Sequence, residues 1–99
     1  MNPRLLLFIT FLLLHTLAFA QATLQGKVLD EKGLPLPGAN ILIKGSYDGA
    51  TSEADGSYRI ETSATGSQVL VFKFLGFKTQ EVTISIDQNS LEIQQVKLI

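Results

Sequence analysis

The sequence predicts an all-β chain, a two-layer sandwich of about seven short strands behind a cleavable leader. Three observations carry this expectation. Apolar runs of strand length recur every eight to twelve residues, and clusters of Gly, Pro, Asp and Ser separate them. After residue 20, no window keeps the i, i+3, i+4, i+7 apolar stripe of an amphipathic helix.

The leader is residues 1–20. Arg4 and the free amino group make a positive start, Leu5 to Leu14 is apolar except for Thr10, and Ala18-Phe19-Ala20 places small residues where a signal peptidase reads. Cleavage is expected between Ala20 and Gln21. The sixteen residues from Leu5 to Ala20 include His15 and two threonines. They fall short of the roughly 20 apolar residues that span a bilayer. No transmembrane segment is expected after cleavage. No cysteine is present to carry a lipid anchor or a disulfide, so a domain over residues 21–99 relies on packing and strand pairing.

The elements follow in order. Thr23 to Asp30 reads as a first strand, closed by a turn at Glu31-Lys32-Gly33. Leu34 to Gly38 carries Pro35 and Pro37, which remove ladder donors and confine it to a loop or a sheet rim. Ala39 to Lys44 is a second strand with Ile41 and Ile43 on one face, and Gly45 to Ala50 a loop. Thr51 to Glu53 is a brief pairing segment. Ser57 to Thr62 is a strand with Tyr58 and Ile60 inward.

Gln68 to Leu75 is the most apolar stretch, with Leu70, Phe72 and Phe74 on one face and Lys73 interrupting it as a gatekeeper against aggregation. Gly76 breaks this run. In Phe77 to Ile86, Val82, Ile84 and Ile86 share a face while Phe77 has the opposite parity, which requires a bulge or bend between Gly76 and Val82. Leu91 to Ile99 shows a second parity change, Leu91 and Ile93 against Val96 and Leu98. The expected core is therefore Ile41, Ile43, Tyr58, Ile60, Leu70, Phe72, Phe74, Val82 and Ile84. The expected turn residues are Gly33, Pro37, Gly38, Asp55, Gly56 and Gly76.

Charge and composition exclude several function classes. Residues 21–99 hold six lysines and Arg59 against nine acids. That balance lacks the clustered basic surplus needed to bind nucleic-acid phosphates. They contain no histidine or cysteine, and no serine is signalled beside an activating base, so no catalytic residue is assigned and no enzyme is expected.

The acidic stretch Ser52-Glu53-Ala54-Asp55-Gly56 invites comparison with a calcium loop. Placing Gly56 at loop position 6 puts Asp55, Glu53 and Thr51 at positions 5, 3 and 1, and Thr62 where a bidentate glutamate belongs. First and last ligands are missing, and strands flank the loop instead of helices. Asp55-Gly56 reads instead as a hairpin turn: Asp bonds its own backbone and Gly takes a left-handed conformation. No metal or other cofactor is expected. Loose gathering of Asp48, Glu53 and Asp55 around calcium is the weaker alternative.

In combination, the motifs resemble a known family. Gly26-x-Val28-x-Asp30, Gly33-x-Pro35-Leu36-Pro37-Gly38-Ala39 and Ile41-x-Ile43-x-Gly45 are similar to the opening of carboxypeptidase regulatory-like domains. Gly49-x-Thr51, Asp55-Gly56-x-Tyr58-x-Ile60 and Phe74-x-Gly76-Phe77-Lys78-Thr79 continue the match, with Glu53 where the family commonly has Asp and Phe77 where Tyr is frequent. The resemblance implies a prealbumin-like (transthyretin-like) sandwich of seven strands. It also implies a place at the N-terminus of SusC-like TonB-dependent outer-membrane receptors, on the periplasmic side. The implied function is that of a non-enzymatic interaction domain. Its protein partner would be a receptor plug and barrel or an energy-transducing protein. Residues 21–99 are too few for even an eight-stranded membrane barrel of roughly 9–11 residues per strand, so a receptor fragment or a free-standing domain is expected. A carbohydrate- or surface-binding module, with Tyr47 as the stacking residue, is the alternative of another class.

Overall fold

The computed structural model describes residues 21–99; the leader expected over 1–20, with Ala20 of its cleavage site, lies outside the described residues. The described residues form eight strands and no helix, and none of them supplies a helix long and apolar enough to cross a membrane.

Strand β1 (Ala22–Asp30) alternates apolar and polar residues, burying Ala22, Leu24 and Val28 on one face. It is the middle of the first sheet. On one side β4 (Ser57–Thr62) pairs antiparallel with it, from Ala22↔Thr62 to Lys27↔Ser57. Where β4 ends, Leu34-Pro35-Leu36 takes over that side: Asp30 N donates to Leu34 O, Leu36 N donates to Val28 O, and Pro35 bridges Leu29. Pro35 thus stands at the sheet rim, where a missing N–H leaves no ladder gap, and Pro37 lies in the turn that follows.

On the other side of β1, β7 (Ser90–Glu92) and β8 (Val96–Leu98) pair parallel with Thr23–Gln25 and Val28–Asp30. Between these two pairings, Gly26 and Lys27 face three residues, Ile93, Gln94 and Gln95. That one-residue excess is the parity change read in the sequence. It splits the expected last strand in two and turns both Val96 and Leu98 inward.

The second sheet is antiparallel throughout, in the order β3 (Gly49–Thr51), β2 (Asn40–Ile43), β5 (Gly66–Lys73), β6 (Gln80–Ile86). Its Ile41, Ile43, Leu70 and Phe72 meet Leu24, Val28, Ile60 and Leu98 of the first sheet, all essentially inaccessible to solvent. Each such side chain stabilises the fold by about 1.5–3 kcal/mol relative to exposure. Tyr58 meets Phe72 edge to face across the layers, with centroids 5.8 Å apart at 76°.

Several expectations need correction. Phe74, Val82 and Ile84, expected in the core, are only half-buried and pack against its margin. Phe74 lies in the turn after β5, where its ring meets Phe77 at 5.7 Å. Val82 and Ile84 belong to an edge strand with a neighbour on one side only. Strand β5 ends at Lys73, leaving Leu75 95% exposed at a turn tip. Phe77 precedes β6, so of the two devices expected after Gly76 it is a bend, at Phe77, that absorbs the first parity slip.

Val71, of opposite parity to Leu70 and Phe72, is also buried. Lys44 of the β2 end and Glu81 of β6 reach across β5 to an ion pair at 3.1 Å. Glu81 is the cross-strand partner of Val71, and Lys44 N donates to Val69 O, so the ion pair shares a face with these two valines. The ion pair itself is half exposed and contributes little.

Candidate interaction site

Gly33, Gly38, Gly56 and Gly76 all take positive φ, and Pro37 opens the turn completed by Gly38. At Gly56 two requirements coincide: φ is +81°, and an added Cβ would stand 2.5 Å from Val28 O. The turn joins β3 of one sheet to β4 of the other, so it is a crossover between layers and not a simple hairpin.

Two of the three acids considered for calcium, Asp55 and Asp48, are engaged by their neighbours. Asp55 Oδ1 accepts from Ser57 Oγ at 2.6 Å and from Ser57 N at 3.0 Å. The hydroxyl bond, then the backbone bond, holds its carboxyl below the ordinary value. Asp48 Oδ2 accepts from Thr62 Oγ1 at 2.7 Å, on a different turn. Among the described residues, no three acids gather where they could hold a cation.

Ser52 is a structural residue that sequence reasoning missed. It is buried, its Oγ donates to Leu36 O at 2.7 Å and accepts from Ala39 N at 2.8 Å. Its backbone adds two more bonds, Gly38 N to Ser52 O and Ser52 N to Ala39 O. One side chain therefore pins the Pro-rich rim to the end of β3. A lone serine thirteen residues from Ala39 and sixteen from Leu36 gives no sequence signal of this.

Tyr58 is buried over Gly26, its cross-strand partner; a Cβ on Gly26 would lie 2.5 Å from Tyr58 Oη. The Oη has no hydrogen-bond partner among the described residues. Burial, and after it the charge of Glu92, pushes the phenol well above its ordinary range.

The surface offers three features. Tyr47 stands fully exposed at the tip between β2 and β3. A polar depression on the outer face of the first sheet is lined by Gln25, Lys27, Ser57, Arg59 and Glu92, among others. On the flank between β6 and β7 lies an open cleft whose walls carry Val82, Ile84, Leu91 and Ile93.

These features define a class: a two-sheet β module whose groups suit packing and presentation. The chain belongs to the CarboxypepD_reg-like domain family, which matches residues 24–98. It is similar to TonB-dependent receptor P3 of Formosa agariphila, at 40% identity over 87% of this chain and 10% of that protein. TonB-dependent receptor SusC of Bacteroides thetaiotaomicron is 35% identical over 86% of this chain and 8% of its own. The chain spans a tenth or less of the length of these relatives.

Among solved structures, a type II cohesin–X-dockerin complex from Acetivibrio cellulolyticus shares the fold. It superposes with a TM-score of 0.69 at 15% identity, over 78% of this chain and 56% of that one. A 3-chlorocatechol 1,2-dioxygenase from Rhodococcus opacus aligns with a TM-score of 0.56 at 7% identity, over 82% and 60%. At such identities the likeness concerns the fold alone.

Proposed function

We propose that this domain is a non-enzymatic accessory domain of TonB-dependent uptake, exported past a leader cleaved after Ala20 and stationed at the periplasmic face of the outer membrane. The observation that carries the reading is the 35–40% identity to TonB-dependent receptors across nearly the whole domain. Residues 21–99 have no histidine or cysteine, and Asp48 and Asp55 are spent on turn hydrogen bonds. Both facts support a role without chemistry. Its mechanism is positional: a rigid sandwich presents an edge or a loop face to a receptor's plug and barrel, or to an energy-transducing protein.

The test is capture of envelope components on the tagged protein. Recovery of a TonB-dependent receptor or its energising partner is expected, and recovery of no outer-membrane component overturns the reading. Full exposure of Tyr47 favours a second reading, a carbohydrate- or surface-binding module. That reading expects glycan-array binding that Tyr47→Ala abolishes, and a blank array dismisses it.

A further inference from the structure

The sandwich has two flanks along which an edge of one sheet faces an edge of the other. On the first, β3 and β4 are tied by the Gly56 turn, where Glu53 N donates to Ser57 O at 2.8 Å. On the second, β6 faces the C-terminal strand, and closure is partial. Lys78 N donates to Ile99 O at 2.8 Å and Gln80 Nε2 to Lys97 O at 2.7 Å. Beyond these bonds, alongside residues 82–85, the flank opens into a cleft of about 360 Å³.

The ladder parity identifies the main-chain groups bordering that cleft. Lys44 N donates to Val69 O, so Val69 and Val71 turn their main-chain groups toward β2. Gln68, Leu70 and Phe72 therefore bond toward β6 and engage Ile84, Val82 and Gln80. The groups of Glu81, Thr83 and Ser85 point outward along the flank. Strand β6 has no proline or lysine to guard this edge. Inner-face side chains of both sheets, Val82 and Ile84 against Leu91 and Ile93, supply the apolar part of the walls beside Thr83, Ser85 and Gln94, and Glu92 is the one charge lining them.

We infer that this flank receives an extended peptide segment of a partner protein. The segment bonds main chain to main chain with Thr83 and Ser85, sets apolar side chains at alternate positions into the cleft, and places a basic residue beside Glu92. The inference rests on reading the domain as an interaction module and names the edge it uses. A second copy suits the flank less well. Pairing β6 with its twin about Thr83 sets Glu81 opposite Ser85 and supplies no cation, because β6 has none. The β4 edge carries Arg59 and Glu61, already paired with each other at 3.4 Å.

The test titrates the purified protein with a short synthetic peptide that alternates valine and threonine and has lysine at both ends, followed by backbone amide NMR. Saturable shifts confined to residues 81–85 and 91–94 are expected, and weaker binding of the same peptide with glutamate ends. Two further peptides carry N-methyl groups on alternate amides, one on each parity. One of them is expected to bind about ten-fold more weakly or worse, since it loses ladder bonds. Shifts centred on β3 or β4, no saturable shift, or indifference to both N-methylated peptides overturns the inference. So does concentration-dependent broadening at Thr83 without peptide, which would assign the flank to a second copy.

Thr83→Pro removes only an outward N–H and is expected to abolish the shifts in a protein that circular dichroism shows folded; if it unfolds, the N-methylated peptides decide. In envelope capture, a folded Thr83→Pro protein that still recovers the same receptor rejects this edge while association stands. Capture of nothing by the unaltered protein rejects the association and leaves the edge to the peptide titration.

Discussion

Ser52→Ala isolates the contact that fastens the Pro-rich rim to the second sheet. The substitution removes one donor and one acceptor, leaving Leu36 O and Ala39 N without the Oγ they bond at 2.7 and 2.8 Å. Ala39 is fully buried and Leu36 nearly so, so water does not readily replace the hydroxyl. A lost hydrogen bond with a stranded buried partner costs about 1–3 kcal/mol. The two share one site and relax together, so the expected destabilisation is about 2–4 kcal/mol. For a domain of this size each kcal/mol lowers Tm by about 4–8 °C, and the drop is then roughly 8–32 °C. Thermal melts followed by far-UV circular dichroism measure it, with exposed Ser63→Ala as the control. Hydrogen exchange adds a local readout, because the Ala39 amide should lose protection ahead of the β5 amides. A loss below about 0.5 kcal/mol, the range of ordinary surface substitutions, would refute the pinning role.

Other perturbations test the remaining contacts. Gly26→Ala places a methyl within 2.5 Å of Tyr58 Oη. It should cost about 1–3 kcal/mol by overpacking, read as a lower urea midpoint at unchanged slope; unchanged stability would mean the ring is not held over Gly26. Tyr58→Phe removes a hydroxyl that has no protein partner, so stability near neutral pH should be unchanged or slightly higher. The phenol is raised in the fold from an ordinary 10.0; the unfolded chain ionises first, so stability is full below about pH 10 and falls above it. That alkaline loss should diminish in Tyr58→Phe, and an identical alkaline profile contradicts the burial argument. Asp55 has its value lowered from 3.8. Its contribution is therefore complete above that value and disappears as pH falls through the lower folded one. Asp55→Asn cannot titrate and should flatten the acid limb below about pH 4, measured as Tm against pH.

Much of the fold was legible in residue order. Alternation marked Ile41 with Ile43 and Tyr58 with Ile60, because one buried face imposes a period of two. The parity change between Ile93 and Val96 announced the break between β7 and β8. Asp55-Gly56 announced a turn through its own local chemistry. The errors came where a residue's environment depends on distant neighbours. Val71 is buried although its parity opposes the core, on a strand flanked on both sides, with Leu42 and Glu81 as its cross-strand partners. Val82 and Ile84 are half-buried because the strand beside them on one side is absent.

The candidate site was less legible than the fold. Apolar alternation in β6 and at Leu91 and Ile93 shows only that both strands have an inner face. That the two faces meet at an open flank depends on which strands are edges, which local patterns do not encode. The all-β class, the turns, the family and the poverty of reactive groups are readable from residue order, since these follow from composition and short-range pattern. Three features emerged from folding alone: Ser52 fastens the rim, Tyr58 covers Gly26, and β6 keeps an unpaired backbone edge. Those features arise from contacts between segments far apart in the chain, whose partners are set by the packing of two layers.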